Sequence, residues 1–188
     1  GEFFHVFNRG VARAPTFISR AEYKQAMLTL SYYRYVNPPV SLARLKELSQ
    51  KERQRLLDSL QKAEKLVEIV AFVLMPNHFH LLVKQLSENG IEKFLSNFQN
   101  GFAKYFNIKN KRLGALFQRP FKAKHVANDE EFLHLSRYIH LNPVKIIEPR
   151  WREVGIKNKK TAREYLDSYK FSSYVDYCGI QREELAIL

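Results

Sequence analysis

Residues Phe72–Lys84 read FVLMPNHFHLLVK, two apolar extended runs hinged at Pro76-Asn77. Both hinge residues are turn formers, so Leu66–Met75 and His78–Gln85 are expected to form a β-hairpin. Successive side chains on a strand point to opposite faces. Phe79, Leu81 and Val83 therefore enter a core together, while His78 and His80 project side by side from the other face. A lone His-x-His describes two polar residues on a solvated sheet as well as it describes a ligand pair. A second stretch shifts the balance: Glu130–Val144, EEFLHLSRYIHLNPV, has helical periodicity and places Tyr138 and Asn142 four apart on one surface. Pro143 ends that helix.

Working outward, Phe3–Asn8 is an aromatic and β-branched run that reads as a strand closing at Arg9-Gly10, with Gly10 in a tight turn. Ser19 and Glu22 form a capping-box pattern ahead of a helix striped by Tyr23, Ala26, Met27, Leu30 and Tyr33. Residues 41–66 interrupt the pattern as a charged helical insertion, its second helix opened by Ser49 and Glu52 and striped by Leu56, Leu57 and Leu60. Gly90–Phe106 is an amphipathic helix, Leu116–Val126 a further strand, and Asn128 with Glu131 opens the tyrosine helix. After Pro143 the chain reads as basic and irregular, then aromatic.

This order predicts an α+β fold, a ferredoxin-like βαββαβ antiparallel sheet with helices on one face. To it are added the insertion and an extra C-terminal helix bearing Tyr138. The third strand then lies mid-sheet beside the first. The expected domain spans 1–148, with 149–188 as a basic, aromatic tail packed on it.

The 188 residues carry a net charge of +12, which points to a polyanionic partner, nucleic acid ahead of a membrane surface. No apolar run approaches the roughly 18 residues of a membrane span. One cysteine, Cys178, excludes an internal disulfide and fits a reducing compartment.

Five segments combine in order along the chain: HVFNRG (5–10), MPNHFHLLV (75–83), FQRPFK (117–122), RYIHLNPVK (137–145) and YKFSSYVDYCG (169–179). Together they resemble the single-tyrosine transposases of the histidine-hydrophobe-histidine (HUH) superfamily, IS200-like, and most closely the REP-associated tyrosine transposases. That resemblance implies a cytoplasmic, nucleoid-associated bacterial enzyme. Its activity would be that of a single-stranded DNA endonuclease and strand transferase working on hairpins or REP-like palindromic repeats. A 5′-phosphotyrosine link and a free 3′-hydroxyl would be its intermediate. Tyr138 is then the nucleophile, His78 and His80 the metal pair and Asn142 the third ligand, although related transposases place glutamine there.

A phenol, with a pKa near 10, is a poor nucleophile at neutral pH, and a phosphodiester is a shielded anion. Strand cleavage by tyrosine therefore needs a cation on the scissile phosphate. Ligand softness favours Mn²⁺ or Zn²⁺ for two imidazoles and an amide; the resemblance implies Mg²⁺ or Mn²⁺. DNA contacts are expected from Arg9, from the cluster Lys109, Lys111 and Arg112, from Arg119, Lys122 and Lys124, and from Lys157, Lys159 and Lys160. The tail favours a monomer over a homodimer. Competing readings are a non-catalytic module for structured single strands and a Rep or relaxase-type nickase.

Overall fold

The computed structural model describes residues 1–181. Its centre is one antiparallel sheet of order β2-β3-β1-β4, with β1 at Phe3–Arg9, β2 at Val67–Met75, β3 at His78–Gln85 and β4 at Lys122–His125. Between β1 and β2 run α1 (Arg20–Tyr33), α2 (Leu42–Glu47) and α3 (Gln50–Gln61); α4 (Gly90–Lys109) links β3 to β4, and α5 (Asp129–Leu141) follows. This is the expected ferredoxin-like order. The histidine strand is paired on both sides, by β2 and by β1.

The hairpin closes where Met75 stands opposite His78. Its turn is fastened from outside: Gly10 N donates to Asn77 O at 2.9 Å, and the Thr16 and Phe17 amides both donate to Pro76 O, at 2.8 and 3.0 Å. Glycine at position 10 serves close approach, because a Cβ there would sit 2.4 Å from Ala14 O.

One sheet face carries Val6, Phe79, Leu81 and Val83 against α1 and the α4 stripe Phe94, Leu95, Phe98 and Phe102, all buried. The other face is covered at one end only, where Leu135 and Ile139 of α5 pack on Ala71, Val73 and Leu82. The two helices of the repeat unit therefore share a face, and the tyrosine helix takes the opposite one. The insertion has a small core of its own, Leu42, Leu45 and Leu60 against Tyr32 and Tyr35.

Two expectations need correction. The fourth strand was expected over Leu116–Val126, but only Lys122–His125 pairs with β1. Leu116 and Phe117 instead turn into the core, with Phe117 packed on Phe79 and Phe98. Pro120, which has no N–H, cannot extend the ladder.

The segment after Pro143 is not irregular. It folds into α6 (Val144–Ile147), α7 (Trp151–Val154), α8 (Lys159–Ser168) and α9 (Tyr174–Tyr177). Val144, Ala162 and Leu166 form its core with Leu141 and Trp151. It then returns along the outer edge of β2, where Leu74 N donates to Phe171 O and Ser173 N to Phe72 O, at 2.9 and 3.0 Å. Among the described residues no helix is long and apolar enough to cross a membrane.

Candidate active site

The register of the central strands sets the site. His80 lies opposite Phe7 and His78 opposite Arg9, and partners in a ladder share a face. His5 belongs to that face too. Its Nε2 lies 2.9 Å from His80 Nδ1, with the rings stacked at 5.1 Å between centroids. His78 Nδ1 lies 2.7 Å from Asn77 Oδ1, an acceptor, so Nδ1 donates and Nε2 keeps its lone pair. The same tautomer on His80, donating from Nδ1 to His5, leaves its Nε2 free as well.

Helix α5 brings the phenol to this pair. Asn128 Oδ1 caps the helix by accepting from Glu131 N at 2.9 Å, and the buried Leu135 and Ile139 lock its rotation on the sheet. Half-buried Tyr138 then meets His80 edge to face, 5.3 Å between centroids, and His5 at 6.2 Å. Tyr138, His78 and His80 line a cavity of about 260 Å³ with Arg9, Lys122, Lys145 and Arg152 on its walls, and His5 lies behind His80 outside that lining. Arg152 stands over the Tyr138 ring, its Cζ 4.4 Å from the centroid.

Burial and surrounding cations keep the imidazoles neutral. Burial first, then Arg9 and Lys145, lower His78 to about 4, against a smaller opposing pull from Asn142. His80 falls to about 2 through burial, then through His78 and His5. His5 falls to about 4 through burial and Lys124, with Glu131 opposing. Neutral imidazole is the form that ligates a metal.

Asn142 is fully buried, and neither its Oδ1 nor its Nδ2 makes a hydrogen bond of ordinary geometry. A buried amide without such bonds costs free energy, and a cation held by its oxygen would repay part of that cost. No group of three His, Cys, Asp or Glu among the described residues could hold a metal. His78 and His80 line the cavity, and Asn142 lies buried beside His78 without lining it, so the two imidazoles and the Asn142 oxygen are the donors that could meet a cation there.

Of the basic residues singled out from the sequence, Arg9 and Lys122 line the cavity, and Lys124 pairs with His5 across the β1–β4 ladder. Arg119 borders a separate groove with Gln99 and Asn100. Lys111 is exposed in a turn with φ 50°. Arg112 is occupied by Asn107 Oδ1 and Ala115 O, at 3.0 and 2.7 Å.

Lys109 is the clearest departure. Its ammonium lies 2.6 Å from Glu22 Oε1 and 3.1 Å from Ser19 Oγ, so it neutralises a buried carboxylate at the start of α1. Lys157 borders a groove beside α7, Lys159 and Lys160 open α8, and none of the three lines the cavity. His140 bonds Ser173 Oγ at 2.8 Å beneath the tail and is structural. His5, Lys145 and Arg152 were missed. Placing β1 beside β3 could have flagged His5, but the other two come from a segment with no readable periodicity.

The family model described as Transposase IS200 like matches residues 30–142. Among solved structures the chain is similar to a REP-associated tyrosine transposase bound to a REP hairpin. That likeness has 18% identity and a TM-score of 0.50, and covers 99% of this chain and 85% of the other. No curated protein matches the chain.

Proposed function

The chain belongs to the IS200-like transposase family, enzymes that act on DNA, and from that premise we propose that it cuts and rejoins single-stranded DNA through Tyr138. The observation that carries this reading is the convergence of the Tyr138 phenol with the His78–His80 pair in one cation-walled cavity. Arg9, Lys122, Lys145 and Arg152 on its walls belong to a chain of net charge +12, which suits a polyanionic strand.

In the first step the Tyr138 Oη attacks phosphorus. The new O–P bond forms as the P–O3′ bond breaks, the phenol loses its proton and the departing 3′-oxygen gains one. A 5′-phosphotyrosine and a 3′-hydroxyl result. In the second step a 3′-hydroxyl attacks the same phosphorus and frees Tyr138, so bond energy is kept and no nucleotide is needed. His78, His80 and Asn142 would hold Mg²⁺ or Mn²⁺, which when bound polarises the scissile phosphate. His5 and Asn77 fix the ring orientations by engaging the Nδ1 atoms. Arg9, Lys122 and Lys124 line the path of the strand, with Lys111, Arg119, Lys157, Lys159 and Lys160 as outlying phosphate contacts.

The hairpin named with the similar solved structure supports a hairpin-forming strand, REP-like, as the substrate of this chain. The test uses a labelled single strand carrying a hairpin, with Mn²⁺. Wild type forms a covalent adduct; Tyr138→Phe binds the strand equally and forms none. Undiminished adduct with Tyr138→Phe removes the proposal.

A further inference from the structure

Arg152 has no part in the family match, which ends at residue 142, yet it stands over the ring of the nucleophile. Its guanidinium carbon is 4.4 Å from the Tyr138 ring centroid and it lines the same cavity as His78 and His80. Its charge is felt at both histidines. Among the described residues no carboxylate forms an ion pair with it, and its other ring contact is Trp151 at 5.7 Å.

The scaffold beneath it is specific. Helix α7 is held next to α5 by the cluster of Val144, Ala162 and Leu166 with Leu141 and Trp151. Glu148 closes the connection by accepting from the Lys157 and Asn158 amides at 2.9 and 3.2 Å.

We infer that Arg152 is a catalytic residue: resting on the Tyr138 ring in the free protein, it turns its planar fork onto the non-bridging oxygens of the phosphate that Tyr138 attacks. This inference rests on the strand-cleavage reading above. The physical case is one of position and charge. A group stacked on the face of the phenol lies beside any phosphorus that the phenolic oxygen can reach. A guanidinium offers paired donors matched to two phosphate oxygens, which a Lys ammonium does not. It exchanges no proton. Its role is to oppose the negative charge on the equatorial oxygens as the bond order shifts from O3′ to the Tyr138 oxygen. A consequence is that the active site is incomplete without the segment C-terminal to Pro143.

The experiment is single-turnover adduct formation by the full chain at saturating hairpin DNA, with the Kd measured separately. Arg152→Met is expected to slow adduct formation by about 10²–10³-fold, the usual loss for one transition-state donor, with Kd within about threefold and an unchanged melting curve. Arg152→Lys should recover only part of the rate, because it restores the charge without the fork. Sulfur placed stereospecifically on each non-bridging oxygen adds a readout that a structural role would not move. Sulfur at either position should slow wild type, and Arg152→Met should be less sensitive to both substitutions. A wild-type rate in Arg152→Met, or a loss confined to Kd, overturns the inference and leaves the Tyr138 reading intact. Adduct retained by Tyr138→Phe overturns the reading itself. Should Arg152→Met melt early, Arg152→Lys decides the matter: full rate and an undiminished sulfur effect at both positions count against the fork.

Discussion

Asn142 offers a sharp test, because stability and function pull it in opposite directions. Its amide is fully buried with neither polar atom in a hydrogen bond of ordinary geometry. Leucine has the same branching and heavy-atom count but nothing to desolvate. Each orphaned polar group costs about 1–3 kcal/mol; allowing for partial relief from the adjacent His78 ring, Asn142→Leu should stabilise the metal-free protein by about 2 kcal/mol. For a chain of this size that raises Tm by about 4–8 °C. Excess Mn²⁺ should reverse the order, since a ligand at a hundred times its Kd stabilises the wild type by about 2.7 kcal/mol and the variant has lost one donor. The assay is thermal unfolding of both proteins in chelator and in Mn²⁺. A variant that melts lower than wild type in chelator would refute the orphaned-amide argument. An equal Mn²⁺ response in both would remove Asn142 from the ligand set.

Two further outcomes follow from pairings that the structure makes. Lys109→Met should lower stability at pH 7 and leave hairpin affinity unchanged. Burial pushes Glu22 up, but hydrogen bonds from Lys109 and Ser19 outweigh it and hold Glu22 at about 2. A carboxylate with its folded pKa depressed contributes stability above its unfolded value and loses it as pH falls toward the folded one. The stability gap between Lys109→Met and wild type should therefore close between about pH 4.5 and pH 2, in urea titrations across that window. Weakened DNA binding with unaltered stability would count against the pairing. His5→Phe keeps a ring beside His80 but deletes the 2.9 Å contact. Mn²⁺ affinity by calorimetry should drop about 10–100-fold with partial recovery in His5→Gln, and an unchanged affinity would show that His80 needs no support.

What could be read in advance was whatever depends on spacing along one element. Strand alternation put His78 and His80 on one face, and both line the cavity with Tyr138; the four-residue step from Tyr138 leads to Asn142, which lies buried outside that lining. What could not be read depends on register and on distant partners. Whether His5 or Phe7 stands level with the histidine pair is decided by a slide of β1 along β3, and the observed ladder sets Phe7 against His80 with His5 Nε2 still reaching His80 Nδ1. Lys109 sits in a basic run that suggests phosphate, but its partner Glu22 lies 87 residues earlier. The segment after Pro143 reads as loop because its helices are short and their apolar residues few. They are stabilised by packing on one another and along β2, which local sequence does not report.

The two innermost strands of the sheet are far apart along the chain: His5 and His80 are separated by 75 residues, with α1 and the whole insertion between them. Closing so long a loop is slow compared with forming either helix. A nascent chain halted before residue 78 already has β1 and α1 but has no imidazole pair. The phenol comes later still, on α5, so the cavity that joins Tyr138 to the histidine pair closes only after synthesis has passed both β3 and α5.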